Sequence, residues 1–214
     1  GDGFYTDGSF IQHSIFSYAG GYGKNLISDI ANVIYVLEGS TWTVTNPNKA
    51  NVYNWVYDSF EPFMYEGAMM DMTRGREISR NAFQDHATGH YVMQALIRIA
   101  QFAPSTDAQR IKAMVKGWMI EDTYSSYYDD ATINMVVLGK QLASDSSVTP
   151  RGELVGHKQF HRMDRAVHHR PGFALGLAMH STSTGNYEAI NSENKKGWHT
   201  SDGMTYLYNA DHAQ

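Results

Sequence analysis

His13 and Tyr22 stand on one short stretch that also carries Gly8, Gly20, Gly21 and Gly23. Glycine adopts backbone angles that other residues resist, so such a stretch can bring its backbone close to a ligand. An imidazole beside a phenol can take a poorly acidic proton from carbon without a metal. A free tyrosine titrates at about 10, too high for a base at neutral pH. A guanidinium next to it favours the phenolate and lowers that value. Arg76 and Arg80 are the candidate cations, one turn apart if their segment is helical. Glu193, in the polar run 191–198, could hold an arginine in place from across a domain boundary. Taken alone, each of these residues has a plainer reading: a surface helix with solvated arginines, a structural tyrosine, a polar turn.

These residues come from distant parts of the chain, so the elements between them must bring them together. Apolar spacing predicts a helix over 24–38, with Leu26, Ile27, Ile30, Ile34 and Leu37 on one face and Gly39 as its stop. A second helix is expected over 49–60, ending before Pro62. The run 69–80 reads as a loop entering a short helix. Helices follow over 86–102, through Ile111 and Trp118, and over 130–143. Short polar turns between them predict antiparallel helical hairpins. The texture then changes: 173–180 and 197–209 read as strands and turns, with Pro171-Gly172 and Asp202-Gly203 as turn signals. The boundary is placed at 165/166, giving a helical part over 1–165 and a strand-forming part over 166–214.

The chain has 214 residues and a net charge of −5, which argues against a nucleic-acid partner but leaves room for a local cationic cleft. Aromatic residues make up 13%, a composition that suits stacking on sugar rings as well as a tyrosine-rich core. Cysteine is absent, which removes disulfides, thiolate catalysis and cysteine-based zinc sites. No apolar run reaches the roughly 18 residues of a membrane span. The sequence opens at Gly1, straight into the His13–Tyr22 stretch, and is read as a piece of a longer, secreted protein.

His86 and His90 are spaced i, i+4 with Asp85 adjacent, as two metal ligands on one helix face would be. The sequence offers neither the glutamate of an HExxH site nor an identifiable third ligand, and His157, His161, His168 and His169 form a looser group. No catalytic metal or other cofactor is expected. The 20–23 glycine run lacks the spacing and the Lys-Ser/Thr of a phosphate loop.

Five motifs in order carry a resemblance: 7–13, 20–23, 69–80, 171–177, and 191–198 with 202–209. In these the chain resembles polysaccharide lyase family 8, the family of the hyaluronate, chondroitin AC and xanthan lyases. Trp42, Met69-Met70-Asp71-Met72 and 186–194 resemble its xanthan-cleaving members most. The resemblance implies the later part of an incomplete α/α toroid followed by the first strands of a β-sandwich, an α+β multidomain arrangement. It implies β-elimination at a uronate: the C5 proton leaves, the C4–O bond breaks, and a 4,5-unsaturated sugar forms.

By the same resemblance Tyr22 is general base and then general acid, and His13 binds or polarises the uronate. Arg76 keeps Tyr22 ionisable and Glu193 orients Arg76. Arg80 and Asn194 contact the substrate. An asparagine that neutralises the uronate carboxylate is expected upstream of Gly1. Ala82 stands where xanthan-cleaving members carry a tyrosine, with Phe83 beside it. The partner implied is an acidic, uronate-containing polysaccharide, and a secreted monomer is expected. The alternatives kept open are a hyaluronate or chondroitin AC-type lyase, a non-catalytic carbohydrate-binding fragment, and a His-based metal protein.

Overall fold

The computed structural model describes residues 1–210. A small antiparallel sheet opens the chain, with β1 (Gly3–Phe4), β2 (Phe10–Gln12) and β3 (Phe16–Ser17) in that order. A π-helical turn, Ala19–Gly23, then leads without a break into α1 (Lys24–Leu37). Ile27, Ala31 and Ile34 form the buried stripe of α1, at the three- and four-residue spacing of a helix face. Leu26, Val33 and Val36 lie exposed on its other side.

The helix expected over 49–60 is mixed. A 3-10 turn (Pro47–Ala50) precedes α2 (Asn51–Trp55), and a π-helical turn (Val56–Phe60) follows it. The tight hairpin of β4 (Met64–Tyr65) and β5 (Ala68–Met69) comes next. Two 3-10 turns, Asp71–Thr73 and Gly75–Ser79, carry the chain to Arg80. Three regular helices complete this part: α3 (Asp85–Ile99), α4 (Ser105–Glu121) and α5 (Ile133–Ser144). α3 is the central one. It packs on α1, on β5 and on α4, and buries Val92, Met93, Leu96 and Ile99.

The chain ends in an antiparallel meander of β6 (Gly156–Phe160), β7 (Arg165–Arg170), β8 (Phe173–Ala178) and β9 (Met204–Asn209). Arg165, Val167 and His169 alternate inward along β7 as the pleat requires. Gly172, at φ +84°, closes the β7–β8 turn.

The boundary expected at 165/166 falls after the first strand of this sheet, since β6 pairs with β7 from Gly156↔His169 to Phe160↔Arg165. The sequence Gly-His-Lys-Gln-Phe hides that strand, because it is a polar edge strand with only Phe160 fully buried. Within 197–209 only the last six residues are strand; the rest belongs to the loop 179–203 between β8 and β9.

The helical part and the sheet share one core. Phe63 stacks on Phe160 with ring centroids 4.4 Å apart. Gly176 of β8 sits so close to Met72 that a Cβ there would meet its methyl at 2.8 Å. The Arg165 guanidinium is buried in this seam. It donates to the carbonyls of Met72, Met163 and Met179 and to Ser201 Oγ. Burial outweighs the pull of nearby Tyr206 and Asp164 and lowers its pKa to about 10.

Candidate active site

The site lies where three irregular pieces meet: the β2–β3 turn, the segment from Ala19 to Gly23, and the 3-10 turn Gly75–Ser79. The loop 179–203 closes over them. His13 tops the β2–β3 turn, and both His13 and Ser14 hold left-handed backbone angles, φ 51° and 72°. The Asp2 carboxylate accepts from both of their N–H groups, at 3.1 and 2.6 Å, and so steadies a turn that L-residues rarely adopt. Tyr22 sits on the π-helical turn, a form of helix that is rare and frequent at functional sites. Beneath it Tyr18 is fully buried. Gly75, at φ +56°, leaves the space that the Tyr18 ring fills; a Cβ there would come within 2.1 Å of the ring.

Arg76 is the hub. Its Nη2 donates to Tyr22 Oη at 3.1 Å, and its Nε donates to Glu193 Oε2 at 2.7 Å. Its Nη1 donates to Glu188 Oε2 at 2.6 Å and to Tyr18 Oη at 3.1 Å. Burial works against the Arg76 charge, but the bonds to Tyr22, Glu188 and Glu193 outweigh it and hold its pKa above the ordinary value. Arg80 grips the same Glu193 carboxylate with Nε at 2.7 Å. These two arginines, Arg80 first, pull the Glu193 pKa down to about 2. Glu77 braces the arrangement from behind, accepting from buried Lys24 at 2.6 Å and facing Arg80 at 3.4 Å.

All four residues expected to be catalytic, His13, Tyr22, Arg76 and Glu193, are thus in one cluster, and Arg80 joins it. The His13 and Tyr22 rings stand edge to face, 5.0 Å between centroids.

Asn194 is close in space but differently used. It is buried, and its side-chain amide donates to the Glu188 carbonyl at 3.0 Å. In this arrangement the amide braces the loop. Asn191, Ser192 and Asn194 all have left-handed backbone angles, and this tight path turns Glu193 back toward the arginines.

The sequence reading missed Glu188 and Tyr18. Glu188 is buried and touches three members of the cluster. It accepts from His13 Nδ1, from Tyr18 Oη and from Arg76 Nη1. Its burial raises its pKa, but these three donors prevail and the net shift is downward. Burial and the bond to Glu188 push the Tyr18 phenol well above its ordinary value, so it stays a neutral donor. A carboxylate on Nδ1 fixes the tautomer of His13, and Nε2 has no hydrogen-bond partner among the described residues. An open recess of about 500 Å³ adjoins His13, lined also by Phe16, Tyr187, Glu188, Ala189 and Ile190. That volume falls in the range of small-molecule sites. The one hint of Glu188 was its place in the long loop 179–203, where function concentrates, but that loop also carries Glu193 and Asp202 and nothing local singles Glu188 out.

A phenol held by an arginine and an imidazole held by a carboxylate thus lie where the helical part meets the antiparallel sheet, an arrangement suited to moving a proton. The comparisons with known proteins identify the family. Residues 1–117 match "Polysaccharide lyase family 8, N terminal alpha-helical domain", and residues 155–214 match the "super-sandwich domain" of the same family. The chain belongs to polysaccharide lyase family 8.

It is 52% identical over its full length to a xanthan lyase of Bacillus sp. (strain GL1), covering 23% of that protein. It is 42% identical over 99% of its length to a hyaluronate lyase of Thermasporomyces composti, covering 27% of that protein. Among solved structures, a Paenibacillus xanthan lyase superimposes with a TM-score of 0.98 at 56% identity, over the whole chain and 21% of that structure. A Streptomyces coelicolor chondroitin AC lyase in complex with chondroitin sulphate gives 0.93 at 35% identity, over 98% of this chain and 30% of that one. The chain spans about a quarter of the length of the curated relatives it matches. Among the described residues no helix is long and apolar enough to cross a membrane.

Proposed function

We propose that this chain carries the proton-transfer centre of a secreted lyase that cleaves the bond to a glucuronate by β-elimination, releasing terminal, pyruvylated mannose from xanthan side chains. The observation that carries the reading is the Arg76 Nη2 to Tyr22 Oη bond, because it gives the phenolic oxygen a cationic donor from an arginine that stays charged.

Tyr22 in its phenolate form takes the C5 proton. The electrons of the C5–H bond become the C4=C5 double bond, and the C4–O bond breaks. The proton now on Tyr22 passes to the leaving oxygen, so one residue serves both steps when they occur on the same face of the sugar. His13, oriented through Nδ1 by Glu188, turns Nε2 to the uronate. Arg76, Arg80, Glu188 and Glu193 sum to zero formal charge. The cluster therefore positions the phenol and binds a uronate only weakly by net charge, and neutralising the uronate carboxylate falls to the upstream asparagine that the family resemblance implies. No cofactor takes part, and the enzyme acts as a monomer. Residues 1–214 alone, lacking that asparagine, are inactive.

The xanthan assignment rests on the 52% and 56% identities against 42% and 35% for the hyaluronate and chondroitin lyases. The test is to offer the full-length protein xanthan, hyaluronan and chondroitin and to follow the ultraviolet absorbance of the unsaturated uronate. Fastest product formation on xanthan supports the proposal. Product from hyaluronan or chondroitin alone moves the assignment within the family, and no product from any of them overturns the lyase reading. Arg80→Ala sharpens it: KM rises more for pyruvylated than for depyruvylated xanthan if Arg80 reads the pyruvate carboxylate. Ala82 works against a large difference, since it has no donor to share that contact.

A further inference from the structure

We propose that His86, His90 and Asp122 form a binding site for a divalent transition metal, zinc by its donor set, that clasps the start of α3 to the end of α4. The sequence showed two imidazoles on one helix face but no third ligand. The structure supplies it from more than thirty residues away, at the C-terminal end of α4. Asp122 Oδ2 lies 2.9 Å from His86 Nδ1 and 2.8 Å from His90 Nε2. The three donor atoms all lie within 4.8 Å of one another. Zinc takes such ligands at about 2.0–2.2 Å, which places tetrahedral donors roughly 3.3 Å apart. Reaching that geometry takes an outward shift of Asp122 by about half an ångström together with a rotation of the two imidazoles, whose donor nitrogens lie within 4.8 Å of each other, toward a common centre.

What surrounds the three residues also fits a metal. Asp130 Oδ2 accepts from His90 Nδ1 at 2.9 Å, the outer carboxylate that typically fixes a metal-bound imidazole. The second oxygen of Asp122 accepts from the backbone N–H of Ser125 at 2.9 Å, which aims Oδ2 at the histidines. The side chains of His90 and Asp122 are almost fully buried, at 0% and 1% exposure, and that of His86 is at 9%. Gly67 makes the space: a Cβ there would lie 2.6 Å from Asp122 Oδ2. Gly89, between the two histidines, lets the Gly67 carbonyl reach the helix backbone. Three protein donors leave a fourth position for water. The nitrogen and carboxylate set suits zinc better than calcium or magnesium, which prefer oxygen. Thr88, in the first turn of α3, donates to the Phe83 carbonyl, the same carbonyl that accepts from Arg74.

The test does not depend on lyase activity. The full-length protein is equilibrated with zinc, dialysed against metal-free buffer and assayed for bound metal by mass spectrometry, with thermal unfolding followed in parallel. One zinc per chain is expected, with a melting temperature that drops on chelation and recovers on zinc addition. Cobalt in place of zinc should give the intense visible absorption of a tetrahedral site. His90→Ala should bind no zinc. If that variant does not fold, His86→Gln, nearer the surface, decides the matter: it should lose the zinc and the chelator sensitivity. Wild-type protein that retains neither zinc nor cobalt, or a His86→Gln variant that binds zinc as the wild type does, overturns the proposal, and the cluster is then held by protons on its imidazoles.

Discussion

Two buried ionic clusters in this chain follow opposite plans. The cluster around Arg76 is assembled from irregular backbone, with left-handed residues at His13, Ser14, Asn191, Ser192 and Asn194 and a π-helical turn under Tyr22. The cluster around Asp122 draws its two imidazoles from the regular helix α3 and its carboxylate from the residue that caps α4. Each unusual backbone angle costs on the order of 1–3 kcal/mol and persists only where its surroundings over-determine it. The return on that cost is visible in what stays uncommitted. In the first cluster His13 Nε2 has no hydrogen-bond partner among the described residues, and His13 is exposed beside the open recess. In the second, the reactive atoms face one another inside the protein. Here the irregular backbone leaves a group open to the surroundings, and the regular helices turn their groups toward one another.

The contrast predicts where substitutions damage turnover and where they damage only the fold. Tyr22→Phe should have the largest effect on turnover. In the full-length protein kcat should fall by roughly a hundredfold or more, the usual share of a general acid–base group, with KM little changed. Retention of more than about a tenth of the rate would remove Tyr22 from the proton-transfer role. The matching changes at His86 should leave kcat within a fewfold and be read in stability and metal content.

Within the first cluster, the two carboxylates should be unequal. Glu188 is buried with three partners, whereas Glu193 is more exposed and held by the two arginines. Glu188→Gln should therefore cost about tenfold in kcat and several degrees of melting temperature, while Glu193→Gln costs about threefold, since the more exposed ion pairs contribute less. Steady-state kinetics and thermal unfolding of the two variants side by side check this. Equal losses would mean that the network has no preferred anchor.

The smallest effect is on the acid side. The Glu193 pKa lies at about 2 in the folded protein, below the value of about 4.3 for a free glutamate. A depressed carboxylate contributes stability that is fully present above the unfolded value and is lost as pH falls toward the folded one. The melting temperature should therefore decline between about pH 4.3 and 2 in the wild type, and less steeply in that window in Glu193→Gln. Parallel slopes for the two proteins would show that Glu193 is not coupled to the arginines in solution.

The comparison also explains what could be read in the sequence. α1, α3, α4 and α5 were legible because each sustains an apolar stripe at helical period over several turns. His13, Tyr22, Arg76 and Arg80 were legible because their types and the glycines around them are unusual together. Glu188, Tyr18 and Asp122 were not. Each acts through a partner far along the chain, and no local pattern marks a carboxylate that folds back to an arginine 112 residues earlier. β6 escaped because an edge strand with polar alternation resembles a loop. The place of Asn194 in the polar run 191–198 gave no hint that its amide is turned inward to the Glu188 carbonyl.

The central claim is that Arg76 serves the reaction through the Tyr22 oxygen. A double-mutant cycle of Arg76→Lys and Tyr22→Phe in the full-length protein tests it most directly. Arg76→Lys keeps the charge but loses the planar fork that reaches Tyr22, Glu188 and Glu193 together, so kcat should fall about tenfold or more in the wild-type background. In the Tyr22→Phe background the same change should cost almost nothing further, because the oxygen it served is gone. Losses that simply multiply, with Arg76→Lys as damaging without the phenol as with it, would contradict the account.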